Sequence, residues 1–447
     1  MEDLTTGSLT RHLLKTASFM LVTMVFQTLY FLVDLYWVGR LGKEAVAAVA
    51  IAGNLMFVVL ALTQMLGVGT TALVSHAAGR KDQSAALHLF NQAQVLSVIA
   101  GLLYFVAGMS LRGVYARVLA ADAATAALAA EYLSWFIPAM ALQFTLVAMG
   151  AGLRGTGNFK PGMIVQTATI VVNIVLTPML MFGWLGLPAM GVGGAAAASL
   201  VAVAIGVLWL SRYFVKPDAY LRFQRSEWKP EGATWKRLLG IGLPAGSEFL
   251  LTALYLFLVY VITRPFGAAA QAGFGIGMRL VQALFMPVVA LGFAVAPVAG
   301  QNFGARKGER VRQTFRDAAL LAAAVMLAAL VLCQLVPAQM IRVFSDDPAV
   351  VGVGEEYLRI AAWSFVASGI VFVASSTFQA LGNTLPALAT SFLRLVLVAV
   401  PSILVARLPG FQLHWIWYIS VASIVAQMAA SLWLLNRELD LKLPAQA

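Results

Sequence analysis

Long apolar runs alternate with short polar connections along the whole chain. The runs fall at about 13–38, 46–76, 88–111, 128–151, 161–183 and 191–214, and resume after a polar stretch at about 236–263, 270–300, 314–337, 355–380, 386–408 and 413–436. A helix rises 1.5 Å per residue, so each run is long enough to cross about 30 Å of hydrocarbon. The runs are far too long and too uniformly apolar for the roughly ten-residue alternating strands of a membrane barrel. The pattern predicts an all-α membrane protein with twelve transmembrane helices.

A second pattern lies over the first. Residues recur at a constant offset of 225: Glu131-Tyr-Leu returns as Glu356-Tyr-Leu, and Gly157-Asn158-x-x-Pro161 as Gly382-Asn383-x-x-Pro386. Gly42 matches Gly267 and Tyr30 matches Tyr255 at the same offset. A unit of six spans has an even number of crossings, so both copies enter the membrane from the same side. They are expected as two six-helix bundles related by a pseudo-two-fold along the membrane normal. The expected division is an N-terminal bundle over 1–215, a cytoplasmic linker over 216–235 and a C-terminal bundle over 236–447. Two like bundles that rock about a shared cleft are a transporter's architecture.

Composition agrees: 61% of residues are hydrophobic, 11% are charged, and the mean hydropathy is +0.86. The net charge of +11 is explained by placement. Twenty of the 30 Lys and Arg residues fall in connections on one side, eight on the other, and Arg279 and Arg394 within spans. The richer side is the cytoplasmic one, so both termini are expected there, in a multi-pass cytoplasmic (inner) membrane protein, and nucleic acid is not an expected partner. Cys333 is the single cysteine and allows no disulfide within the chain. No HExxH, Walker or GxSxG motif is present, so neither an enzyme nor an ATP-driven pump is expected. An ion gradient remains as the energy source, at about 2.3 kcal/mol per charge per 100 mV.

The polar residues that the repeat does not copy are the candidates for chemistry. Asp34 corresponds to Val259, Glu248 to Thr23, Asn173 to Val398 and Thr177 to Ser402. An intramembrane carboxylate is expensive and turns toward protein or a cavity, away from lipid. Gln27, Tyr30 and Asp34 share one helical face at i, i+3 and i+7. Asn173 and Thr177 share another at i, i+4, with Pro178 freeing a carbonyl one turn back. The run Gly191-x-Gly193-Gly194-Ala-Ala-Ala-Ala-Ser199 permits close helix approach and ends on a hydroxyl. Asp34, Asn173, Thr177 and Ser199 together offer oxygens to a small cation. Sodium would be held at Asp34, Asn173 and Thr177, or a proton on Asp34 alone. The plainer alternative for the three neutral residues is interhelical hydrogen bonding, worth roughly 0.6 kcal/mol each. Glu248 is open between lining a cleft for a cationic substrate, with Gln27 and Tyr30, pairing with Arg279, and standing as a lone interfacial carboxylate. Arg394 is expected to bond a backbone carbonyl or to reach toward the interface.

These residues carry a resemblance over nearly the whole chain. Tyr30-x-x-x-Asp34-x-x-Trp37-x-x-x-Leu41-Gly42, Gly152-x-Arg154-Gly155-x-Gly157-Asn158, Ala299-Gly300-Gln301-Asn302-x-Gly304-Ala305 and Asn173-x-x-x-Thr177-Pro178 resemble the multidrug and toxic compound extrusion (MATE) transporters. The pattern around Asp34 looks most like the prokaryotic DNA-damage-inducible-like branch. The resemblance implies a polyspecific exporter of small, mostly cationic organic compounds by H⁺ or Na⁺ antiport, with Asp34 as the coupling residue and no further cofactor. Such a protein is expected to work as a monomer among membrane lipids. Thr177 stands where that branch often has Asp, and Phe19 where many members have proline. A flippase for lipid-linked precursors, of the same superfamily, is the alternative; it calls for a basic cleft, whereas only Arg279 and Arg394 lie within spans.

Overall fold

A computed structural model describes residues 1–443, apart from the side chains of Phe31, Leu35 and Phe57; the last four residues of the expected second bundle lie outside the described residues. Among the described residues the fold is wholly helical, with fourteen α-helices joined by short 3₁₀ turns and loops. The first six are α1 (Leu9–Gly39), α2 (Lys43–Gly79), α3 (Gln83–Leu119), α4 (Ala123–Gly155), α5 (Lys160–Phe182) and α6 (Gly191–Val215). The others are α7 (Gly232–Thr263), α8 (Ala268–Gly304), α9 (Gly308–Leu335), α10 (Pro337–Arg342), α11 (Pro348–Ala361), α12 (Phe365–Ala380), α13 (Leu385–Val405) and α14 (His414–Lys442). Twelve spans are long and apolar enough to cross a membrane, with α11 and α12 forming one of them across a 3₁₀ turn.

Helix starts follow local chemistry more than hydropathy. The tenth span begins at Pro348 and not near 355, because Asp347 accepts from Ala349 N at 2.9 Å and proline suits a first helical position. Helix α3 begins at Gln83, five residues before the apolar run, because Asp82 caps Ala85 N at 2.9 Å.

The chain forms two compact units. The first contains 1–3 and 18–242, and the second 4–17 and 243–447. This differs from the expected division at both ends of the linker. The stretch 216–235 belongs to the first unit: Asn91 donates to Arg222 O and accepts from Gln224 N, and Gln92 donates to Glu227 O and Lys229 O. The opening turns of α7 pack against α2 so closely that a Cβ on Gly242 would overlap the Met65 carbonyl. Residues 4–17 belong to the second unit. Gln301 accepts from Leu4 N at 3.0 Å, Asn302 donates to Leu4 O at 3.1 Å, Lys307 donates to Thr5 O at 2.8 Å and Thr10 to Asp317 at 3.1 Å. The Gln301-Asn302 motif is therefore a docking site for the chain's own beginning. Both exchanges end at the same repeat position, since Ala17 and Gly242 are 225 residues apart.

The repeat extends into the backbone. Helix α4 ends with Gly157 at φ +76°, and α12 is followed by Gly382 at φ +70°; each turn closes with the asparagine N–H bonded five residues back, to Leu153 O and Phe378 O. Only glycine takes that left-handed conformation cheaply, and the proline that follows starts the next helix. The shared Gly-Asn-x-x-Pro turn is folding chemistry. Each unit has its own aromatic centre. In the first, Phe90 stacks on Phe214 at 4.6 Å; in the second, Phe274 stacks on Trp417 at 5.2 Å with Tyr357 edge-on.

Candidate functional site

In the first unit, α1, α5 and α6 bring four of the expected residues into one hydrogen-bonded chain. Helix α6 approaches α5 through its small residues: a Cβ on Gly194 would sit 2.6 Å from the Leu180 carbonyl, so no larger residue fits. That close seam sets Ser199 beside Asn173, and Asn173 Nδ2 donates to Ser199 Oγ at 2.9 Å. Thr177, one turn on, donates to Asn173 Oδ1 at 3.0 Å. Ser199 uses its own proton on Ala195 O at 3.3 Å. The Tyr30 hydroxyl, 3.2 Å from Ser199 Oγ, is therefore the donor in that pair. Each buried polar group in this chain has a partner, as stability requires.

Asp34 stands next to this chain and outside it. It lies one turn beyond Tyr30 on α1, half-buried, and its Oδ1 is buried with no hydrogen-bond partner among the described residues. Tyr30 and Tyr132 are within electrostatic range of its charge. The arrangement is an intramembrane carboxyl group with unspent capacity, set against a neutral network that is already satisfied. Such a group can take up a proton without rearranging anything. Sodium would need further oxygens beside Asp34, and those of Asn173 and Thr177 keep lone pairs that could serve.

Gln27 does not join the cluster: it is exposed and makes no bond to Tyr30 or Asp34 among the described residues. Glu248 lies in the second unit on α7, where Ser375 of α12 donates to its carboxylate at 3.3 Å from each oxygen. It makes no ion pair with Arg279 among the described residues, so the pairing alternative falls. Ser375 sits within an apolar helix far along the chain, and no pattern in the sequence marked it as the partner. Arg394 also departs from expectation. Its guanidinium lies over the Tyr255 ring, 4.9 Å from the centroid, and its Nε is buried with no partner. Tyr255 is the repeat partner of Tyr30, which was the one available hint.

Twelve apolar spans in a duplicated unit, with polar groups held at depth, define a polytopic membrane transporter. The sequence profile of MatE matches residues 20–179 and 244–404, one copy in each half, and the chain belongs to the MatE family of multidrug efflux transporters. The probable multidrug resistance protein YoeA of Bacillus subtilis is 27% identical over 370 residues, covering 82% of this chain and 80% of the relative. NorM of Thermotoga maritima, another probable multidrug resistance protein, is 25% identical over 387 residues, covering 86% and 81%. A solved outward-facing structure of a multidrug resistance MATE transporter of the MOP superfamily superposes with a TM-score of 0.91 at 23% identity, covering 99% of this chain and 98% of that one. At that identity the likeness speaks for the fold.

Proposed function

We propose that this protein exports small organic cations from the cytoplasm by antiport, and that the returning ion is a proton carried on Asp34. One observation carries the reading: a buried carboxylate oxygen within a span, unpartnered beside a network that satisfies itself. Protonation gives that oxygen a neutral form suited to its surroundings, and deprotonation leaves a charge that attracts a cationic substrate. Antiport follows if proton and substrate compete for the one acid, because each transit then carries one or the other. Tyr30, Asn173, Thr177 and Ser199 surround Asp34, Gln27 and Tyr30 are substrate contacts within the first unit, and Glu248 is a separate candidate contact within the second. The proposed setting is the cytoplasmic membrane with both termini inside, which the Lys and Arg distribution supports. Sodium coupling through Asp34, Asn173 and Thr177 is the competing reading. Efflux of a cationic dye from proteoliposomes decides between them: an imposed proton gradient should drive accumulation and an imposed sodium gradient should not. Drive by sodium alone would overturn the assignment of the ion, and no uphill movement under either gradient would overturn antiport.

A further inference from the structure

The second unit contains a cavity next to the counterpart of the first unit's hydroxyl chain, the two sharing the Tyr30/Tyr255 position. Helices α7, α13 and α14 correspond in the repeat to α1, α5 and α6, and between them Thr252, Tyr255, Ser391, Arg394 and Gln427 line a small, partly open cleft. Arg394 is the tenth of the 21 residues of α13, the middle of a span. An arginine at that depth ordinarily faces a carboxylate or backbone carbonyls. Here no carboxylate pairs with it among the described residues. Glu248, the nearest acid along the Thr252–Tyr255 face of α7, bonds to Ser375.

The rest of the lining is held in place around the guanidinium. The Tyr255 ring supports it from one face, and the Tyr255 hydroxyl is tied to Ser420 Oγ at 2.9 Å. Gln427 is buried and donates to Ser391 Oγ at 3.2 Å. Arg394 Nε remains a buried donor with no acceptor. A planar fork of donors, fixed on an aromatic face and lacking an acid, matches the bidentate geometry of a carboxylate or phosphate. The space is far smaller than an organic ligand's pocket, so what it can hold is a headgroup and not a whole molecule.

We propose that the Arg394 cavity is a binding subsite for an oxyanion headgroup, a carboxylate or phosphate ester, borne by an organic substrate or by a membrane lipid. The subsite lies wholly within the second unit and does not depend on which ion couples at Asp34. It extends the range of cargo from cations to zwitterionic and anionic amphiphiles.

The test is equilibrium binding to the full chain in nanodiscs, with no ion gradient. Fluorescein serves as the anionic probe, ethidium as the cationic one, and phosphatidylglycerol is compared with phosphatidylcholine as the host lipid. Arg394→Gln should weaken fluorescein binding at least tenfold and change ethidium binding less than twofold. Arg394→Lys, which keeps the charge and loses the fork, should weaken fluorescein at least threefold, and keeps the test open if the glutamine variant does not fold. If the anion is a lipid headgroup, phosphatidylglycerol should co-purify with the wild type and not with Arg394→Gln, and should compete with fluorescein. Equal fluorescein binding and equal phosphatidylglycerol retention in wild type and variants would overturn the subsite.

Discussion

The two units share a backbone plan to the level of single dihedral angles, yet their corresponding three-helix seams carry opposite charge. In the first, Gly193, Gly194 and four alanines let α6 close on α5, and the seam is filled by bonds among Tyr30, Ser199, Asn173 and Thr177 beside an acid. In the second, Tyr418 and Ile419 occupy the positions of the two glycines, and an arginine stands where the first unit has Thr169. The small-residue seam is not repeated, and a cleft lies between α7, α13 and α14. Tyr30 and Tyr255 show how little was changed: each donates or accepts one hydroxyl bond, to Ser199 and Ser420, partners displaced by one helical turn in the repeat. A duplication kept its scaffold and diverged in side-chain size and charge at one seam. One seam is thereby left acidic and the other basic within a common scaffold.

The strongest way to break the comparison is to remove the acid. Asp34→Asn should reduce gradient-driven dye efflux in proteoliposomes to the level of empty vesicles, while the protein still inserts and melts as before; retained efflux would dismiss Asp34 as the coupling group. Next in size is the seam. Gly194→Ala forces a Cβ into the Leu180 backbone and should cost about 1–3 kcal/mol, read as a lower melting temperature. Gly162→Ala, which meets open space, is the matched control and should lie within about 0.5 kcal/mol of wild type. The two tyrosines give a finer contrast. Tyr30→Phe and Tyr255→Phe each delete one interhelical bond and should each cost roughly 0.6 kcal/mol, but only the first should also slow proton-driven efflux.

The smallest effect lies at the linker end of the first unit, where His88 bonds Glu227 and Glu231 and Thr234 donates to Glu231 at 2.8 Å. Bonds from Thr234 and then His88 hold the Glu231 carboxyl below its usual range. A lowered value means that the ionised form is favoured by folding, so its contribution is present above about pH 4.5 and fades as pH falls through the depressed value. Glu231→Gln should therefore melt slightly lower than wild type near neutrality, with the two curves converging under acid conditions.

Much of this was readable from the chain because bilayer physics writes itself into hydropathy. The spans, the duplication and the Gly-Asn-x-x-Pro turns follow from local pattern, and so did the face shared by Asn173 and Thr177. What was not readable depends on which helix faces which. Nothing in the apolar run of α12 marks Ser375 as the partner of Glu248. Arg394 was expected to find a carbonyl or to reach toward the interface, because its neighbour across the seam, Tyr255, is distant in sequence. The docking of residues 4–17 onto Gln301 and Asn302 was hidden for a similar reason: a motif was visible, and its occupant was the far end of the same chain.

That docking has a consequence for how the protein can be divided. A cut within 216–235 would release two polypeptides of six spans each, and neither would contain a whole unit. The first would carry off residues 4–17, which belong to the second unit, and the second would carry off the opening of α7, which belongs to the first. Produced separately, the fragments should be unstable and degraded; produced together, they should reassemble by handing back those segments. A lone six-span precursor with the same exchange would have been incomplete as a monomer and whole only as a pair.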